Sequence, residues 1–238
     1  MSDVMIEAQG LTKRYDGVLA IDRVSMEVRR GEVLGFLGPN GAGKSTTMKM
    51  LTCFLSPTAG TAKVAGYDVF DDSLEVRRRI GYLPEDTPIY RDMTVLEYLQ
   101  FVAEMRGMDS AKSPARIKEI GGRCGLGDVA GKLVGELSKG YRQRLGLAQA
   151  MLNDPDILIL DEPTSALDSE SEEYIQKALE SMRHRKTLIV IAHRLSTVSH
   201  SDQIVVLDHG VIVERGVHEQ LLDAEGAYHR LFDLQIYR

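Results

Sequence analysis

Tryptophan is absent from the 238 residues, and cysteine occurs only twice, at Cys53 and Cys124. Two cysteines cannot build the disulfide framework of a small secreted domain, and they fit a reducing compartment. Both lie beside apolar residues, so both are expected to be buried structural thiols. No run reaches the length of about 20 apolar residues that crosses a bilayer. Met1 to Gly10 (MSDVMIEAQG) also lacks the apolar core of a signal peptide. Any membrane role is therefore expected to come through a partner. Positive charge is in deficit: 29 lysines and arginines stand against 35 acids, a net charge of −6. A broad basic face for nucleic acid is not expected from that balance. The one dense basic cluster, Arg77-Arg78-Arg79, closely follows acidic residues and reads as a solvated helix face. Internal repeats and low-complexity tracts are missing too. The length allows one large domain or two small ones, with a sizeable core.

Against those absences, one stretch carries specific chemistry. Gly38-Pro39-Asn40-Gly41-Ala42-Gly43-Lys44-Ser45-Thr46 fits G-x-x-x-x-G-K-[ST]. A short apolar run, Glu32 to Leu37, leads in, and a helix-compatible segment, Thr46 to Leu55, leads out. A triphosphate needs converging backbone N–H groups, and only glycines let the chain wrap closely enough to supply them. The N-terminus of the following helix adds positive potential. Lys44 is placed to reach the β- and γ-phosphates, and the Ser45 hydroxyl to bind Mg²⁺.

Around this loop the chain alternates between strands and helices. Met5 to Leu11 and Val24 to Val28 read as strands on either side of an Asp16-Gly17 turn. Strands follow around Ala62 to Val69, then a short helix over 73–80, then a strand from Ile80 to Pro84. From Glu85 to about Ala130 helical spacing dominates. Val95, Leu99, Val102 and Met105 form one stripe, and Ile117, Ile120 and Leu126 another. A further helix starts at Leu137-Ser138-Lys139-Gly140 and runs to Asn153. Asp156 to Leu160 and Thr187 to Ala192 are unbroken apolar runs, which imply burial on both faces and a mainly parallel sheet. Gln203 to Leu207 and Val211 to Glu214 flank Asp208-His209-Gly210 as a hairpin. Glu219 to Tyr237 reads as an amphipathic helical segment carrying Leu221, Leu222, Leu231 and Leu234.

Two of the buried runs end in functional residue types. Asp161 and Glu162 close the first, where carboxylates at a strand tip can hold Mg²⁺ and orient an attacking water. An N-cap or a surface pair is the plainer alternative. His193 closes the second run, where it can hydrogen-bond a γ-phosphate and the attacking water. Taken alone, it would more often be a satisfied structural histidine.

With these residues in order and spacing, the chain resembles the ATP-binding cassette (ABC) ATPases over essentially its full length. Leu137-Ser138-Lys139-Gly140-Tyr141 is similar to the signature motif, Ser165-Ala166-Leu167-Asp168 to the D-loop, and His193 to the switch histidine. Tyr15 matches the aromatic that stacks on adenine, and Glu85 stands where most members carry the Q-loop glutamine. The resemblance implies that two cassettes pair head to tail around two ATP molecules. Each ATP then touches the phosphate loop of one subunit and the signature of the other. Ser138, Lys139 and Gly140 are implied contacts of that second kind, since a hydroxyl, a close backbone and a helix N-terminus suit a γ-phosphate oxygen.

Two departures stand out. Lys139 and Tyr141 replace the usual Gly and Gln of the signature, while Ser138 and Gly140 remain. Glu85 replaces an amide with a carboxylate, which also binds Mg²⁺, so an altered switch is expected. Up to about residue 164 the chain resembles exporter ATPases that are separate subunits, of the gliding-associated and the drug or antibiotic type. From about residue 165 it resembles the ATPase domains of exporters fused to their membrane domain, such as lipid flippases. Asp168-Ser-Glu-Ser-Glu172, Ile191-Ala-His-Arg-Leu-Ser-Thr197 and His218-Glu-Gln-Leu-Leu222 carry that second likeness. A mosaic with a seam near Thr164-Ser165 is expected from this, natural or engineered. Best matches of both halves in one subfamily would remove it.

The expected fold is α/β: a P-loop nucleotide-binding fold with a mainly parallel core sheet, an N-terminal antiparallel β portion and an inserted α-helical subdomain. Residues 1–238 are expected to form one unit, with 1–84 and 151–238 as core and 85–150 as the helical subdomain and signature helix. The expected function is ATP hydrolysis in a cassette dimer that energises export through a membrane-spanning subunit. Glu162 and His193 are the catalytic residues, and ATP and Mg²⁺ the cofactors. Ser45, Glu85 and Asp161 hold the metal. Tyr15, residues 38–46 and Ser138 to Gly140 bind nucleotide. The location is cytoplasmic, peripheral at the inner face of the cell membrane, with no nucleic-acid partner. The competing expectation is an isolated or engineered cassette without a membrane partner, serving as a folding or assembly module.

Overall fold

A computed structural model of the chain describes residues 3–164, 167–192 and 195–236. Alternation in the first thirty residues produces two long antiparallel strands, β1 (Val4–Tyr15) and β2 (Val18–Arg29), which meet at a tight turn through Asp16 and Gly17. Their buried residues, among them Ile6, Leu11, Ile21 and Met26, join one core cluster with Leu34, Phe36 and Met48. After β3 (Val33–Leu37) and α1 (Lys44–Leu51), strands β4 (Ala59–Val64) and β5 (Tyr67–Asp68) add to the free edge of β1. The result is a four-stranded antiparallel sheet in the order β2-β1-β4-β5.

The chain then passes through α2 (Ser73–Arg79) and β6 (Ile80–Leu83) into a helical arm. The arm holds α3 (Val95–Met105), α4 (Ser113–Arg123) and α5 (Lys139–Met151). Helix α3 starts on a capping box: the Thr94 hydroxyl accepts from the Glu97 N–H, and the Glu97 carboxylate accepts from the Thr94 N–H. Val95, Leu99 and Val102 are buried as the stripe predicts, but Met105, at its C-terminal end, is 72% exposed. The arm packs through residues nearer its middle. Ile117 and Ile120 are buried on α4, and Leu126 is buried beyond the end of that helix.

The second half adds β7 (Ile157–Asp161), α6 (Ser169–Glu180), β8 (Thr187–Ile191), α7 (Leu195–Val198), β9 (Gln203–Asp208), β10 (Val211–Gly216), α8 (His218–Asp223) and α9 (Ala227–Ile236). Together with β3 and β6 these strands form a six-stranded sheet, β10-β9-β3-β8-β7-β6. From β9 through to β6 neighbours run parallel; only β10 is antiparallel, at one edge. Every residue of β3, β7 and β8 is buried, as runs covered on both faces require. Ile157, Ile159, Ile189 and Ile191 pack with Leu34, Phe36, Met48 and Leu51 toward α1 and the first sheet. Leu158, Leu160, Leu188 and Val190 pack the other way, onto α5, α6 and the helical arm. The sheet is continuous across residue 164, since β7 and β8 pair from Ile157↔Thr187 to Asp161↔Ile191.

Three expectations need correcting. The C-terminal helical segment is divided into α8 and α9, because Glu225 takes a positive φ of 49° and the Glu214 carboxylate accepts from the Ala227 and Tyr228 N–H groups to start α9 afresh. Leu221 is buried, yet Leu234 is 64% exposed; Tyr237 lies outside the described residues. Cys124 is buried as expected, whereas Cys53 is only half-buried, at a turn with a φ of 61° after α1. No helix among the described residues is long and apolar enough to cross a membrane.

Candidate functional site: a phosphate loop facing two strand-end acids

The loop from Gly38 to Gly43 joins β3 to α1 and is held by neighbours on two sides. Gly38 has a φ of 151°, and a Cβ there would sit 2.0 Å from the Leu207 carbonyl oxygen. Gly43, the N-cap of α1, has a φ of 102°, and its Cβ would meet Ile21 Cδ1 at 2.3 Å. Only glycine satisfies both demands, the left-handed backbone at Gly43 and the lack of space. The loop is tied further by Gly210, whose N–H donates to the Ala42 carbonyl at 3.0 Å. Pro39, Asn40 and Gly41 are exposed at its tip, and Ser45 and Thr46 open α1 partly buried.

Lys44 is buried and folds back over the loop, its Nζ donating to the carbonyls of Gly38 at 2.8 Å and Pro39 at 3.0 Å. Burial lowers the ammonium pKa, against the opposing fields of Glu162, Asp161 and Glu85. Those three acids gather because β3, β6, β7 and β8 are parallel, so their C-terminal ends share one edge of the sheet. That edge is where ligands bind in open α/β sheets.

Asp161 ends β7 and is 2% exposed. Burial raises its pKa, while a hydrogen bond with Ser45 pulls it down. Its Oδ1 is buried and has no hydrogen-bond partner among the described residues. Glu162 follows, also buried, with a φ of 51°, a sparsely populated conformation for a non-glycine residue. Its N–H donates to the Ile191 carbonyl at 2.9 Å, which ties the turn after β7 to the end of β8. Glu85 is exposed in the loop after β6, yet its charge is felt at Lys44, Asp161 and Tyr82.

Tyr15 lies at the tip of the β1–β2 hairpin, paired with Val18 and partly exposed, with Lys13 Nζ 5.3 Å from its ring centroid. The same hairpin contacts the loop through Ala20 and Ile21, so the ring and the loop sit at one end of the molecule. Ser138, Lys139 and Gly140 are not part of this cluster. Ser138 caps α5, its hydroxyl accepting from the Tyr141 N–H at 3.3 Å, and Ser138 and Lys139 are exposed. Gly140 abuts the start of α6, with Asp168 Oδ2 and Ser171 Oγ as the nearest atoms to a Cβ there. His193, Ser165 and Ala166 lie outside the described residues.

The structure adds two residues that motif spacing does not single out. Gln143, buried on α5, donates from Nε2 to the Glu162 carbonyl at 3.5 Å. Arg144 is 2% exposed between the rings of Tyr141 and Tyr174. The available signal was an adjacent pair of long polar side chains on the otherwise apolar buried face of α5.

The family model described as ABC transporter matches residues 21–165, more than half of the chain. The chain belongs to the ABC transporter family. It is an ATP-binding cassette. It is 39% identical over 239 residues to an ATP-dependent lipid A-core flippase of Ralstonia nicotianae, covering 94% of this chain and 40% of that protein. A second such flippase, from Idiomarina loihiensis, is 37% identical, covering 98% and 41%. The chain thus spans about two fifths of the length of these relatives. Both relatives match on each side of residue 164, so they lend the mosaic no support. Among solved structures, a bacterial Atm1-family ABC exporter with ATP bound superposes with a TM-score of 0.86 at 29% identity, covering 97% of this chain and 41% of that one. The dimeric structure of MJ0796, a bacterial ABC transporter cassette, gives 0.84 at 27% identity, covering 90% and 99%.

Proposed function

We propose that this chain hydrolyses ATP as a head-to-tail pair of cassettes and thereby energises export through a membrane-spanning partner, at the cytoplasmic face of the membrane. The observation that carries the reading is the meeting of Lys44, Ser45, Asp161 and Glu162 at one sheet edge, within the field of Glu85. In this reading residues 1–238 act as one nucleotide-binding unit, with 85–150 as its helical subdomain. The names of the relatives, a lipid A-core flippase and an ABC exporter, support export as the outlet.

Each residue then has a task. Backbone N–H groups of residues 38–46 and the start of α1 cradle the phosphates, and Lys44 exchanges the Gly38 and Pro39 carbonyls for β- and γ-phosphate oxygens. Tyr15 stacks on the adenine. A buried carboxylate oxygen without a partner, on an aspartate bonded to the Ser45 hydroxyl, fits a divalent cation, so Asp161 and Ser45 would hold Mg²⁺ with Glu85 as a further oxygen ligand. When bound, the ion would offset negative charge on the phosphate oxygens. Glu162 orients the attacking water and takes its proton, and His193 contacts the γ-phosphate. The water oxygen bonds to the γ-phosphorus as the bond to the β-phosphate oxygen breaks, releasing ADP and phosphate.

Ser138 and Lys139 are exposed at the N-terminus of α5. They and Gly140 meet the ATP held by a second copy. Glu162→Gln should therefore abolish turnover while retaining an ATP-dependent dimer in sedimentation. Turnover that survives removes Glu162 as the base. Specific ATPase activity should also rise with protein concentration, and a flat profile would favour the reading as an isolated module.

A further inference from the structure

We infer that Arg144, held between Tyr141 and Tyr174, is a positioning residue that fixes the Ser138–Gly140 turn against the start of α6 and so sets how that turn meets the nucleotide of a second copy. The inference rests on the paired-cassette reading above and adds to it the device that aims the turn.

Tyr141 and Arg144 lie three residues apart on α5, on one face, and Tyr174 reaches them from α6. The guanidinium carbon is 3.9 Å from the Tyr141 ring centroid and 4.6 Å from that of Tyr174. Its Nε is buried and has no hydrogen-bond partner among the described residues. The two ring faces therefore meet a desolvated cation, where this attraction is strongest. There is no slack on the third side: a Cβ on Gly125 would stand 2.9 Å from Arg144 Nη1 and 2.7 Å from Tyr174 Cε1.

One turn toward the N-terminus, the same helix touches α6 again. A Cβ on Gly140 would come within 2.2 Å of Ser171 Oγ and 2.8 Å of Asp168 Oδ2. Asp168 is the cap of α6, its carboxylate accepting from the Ser171 N–H at 2.8 Å and hydroxyl at 3.2 Å. The positive charge of Arg144 also acts on Asp168. The clamp and the cap thus hold α5 to α6 at two levels, and the exposed Ser138 and Lys139 project just beyond the upper one. Gln143, next to Arg144, reaches the Glu162 carbonyl. A shift of the clamp would move the turn relative to Glu162, and small misplacements at a reacting site are expensive in rate.

The test uses Arg144→Lys, which keeps the charge but loses the planar stack, and Tyr174→Leu against Tyr174→Phe, which differ in the ring alone. In a Glu162→Gln background, the protein concentration giving half-maximal ATP-dependent dimer should rise about tenfold for the Lys and Leu variants, as expected when a positioned contact is misaligned. In the Glu162 background their kcat should fall by about tenfold with little change in KM. Affinity of the monomer for a fluorescent ATP analogue should stay within about twofold of the parent, and Tyr174→Phe should restore both readouts. A folded Tyr174→Leu with the parent's dimer midpoint and kcat overturns the inference. So does a Tyr174→Leu chain that fails to fold, since the ring then serves stability. If Glu162→Gln alone forms no dimer with ATP, it is the paired reading that fails.

Discussion

Gln143 on α5 donates from Nε2 to the main-chain oxygen of Glu162, joining the helix that Ser138 caps to the turn that follows β7. The donor sits one turn behind Ser138, and the acceptor belongs to the residue expected to activate water. The contact is long at 3.5 Å, and it is buried. In the proposed pair it would link the turn that meets one ATP to the carboxylate that acts on the other.

Lys44 donates to the carbonyls of Gly38 and Pro39. Lys44→Ala should weaken ATP binding by about tenfold or more, equivalent to at least about 1.4 kcal/mol. Titration with a fluorescent ATP analogue measures it. Unchanged affinity would remove Lys44 from the phosphate contacts.

Asp161 carries the opposite liability. Burial raises its pKa above the unfolded value, so the folded chain binds that proton more tightly than the unfolded one. Its contribution to stability is therefore most favourable below the ordinary carboxylate range and is lost as pH rises through the raised folded pKa. Asp161→Asn should then raise the melting temperature of the nucleotide-free chain at pH 7, by about 2–4 °C for each kcal/mol relieved. The gain should shrink in acid. Mg²⁺-dependent ATPase should be lost in the same variant, a trade of stability against function. A lower melting temperature at pH 7 would contradict this account.

At Gly140 the neighbours are the Ser171 hydroxyl and the Asp168 carboxylate, and a methyl group would come within 2.2 Å of the former. Gly140→Ala must push α5 from α6 or break the α6 cap. Overpacking of this kind costs about 1–3 kcal/mol. Thermal melts should register that loss, and ATPase activity should fall further than stability alone would require. Wild-type activity in the variant would show that the close approach has no role in the pair.

Burial pushes the Cys53 thiol up to about 11 and the Cys124 thiol up to about 12. At pH 7.5 the thiolate fraction of each is very small, so both should resist iodoacetamide in the folded protein and react on unfolding. Intact-mass measurement of labelled protein gives the answer. Rapid labelling of native Cys124 would contradict its burial.

How much of this could be read beforehand depends on the range of the interaction. The phosphate loop is a run of nine adjacent residues whose glycines, lysine and serine have fixed local tasks, so its chemistry shows in one dimension. Ile157 to Leu160 and Leu188 to Ile191 declare their two-sided burial as unbroken apolar runs. Met105 and Leu234 mislead because spacing reveals a stripe but not where the neighbouring surface ends.

The sequence by itself determined the fold class, the phosphate loop and the acids at the end of β7, because backbone preference, hydrophobic run length and motif spacing act between near neighbours. Only the tertiary structure decided which distant groups share a space. It set the field of Glu85 on Asp161, the reach of Gln143 to Glu162 and the stacking of Arg144 between Tyr141 and Tyr174. These depend on how α5 lies on the sheet and on α6, and that placement comes from the whole core packing at once.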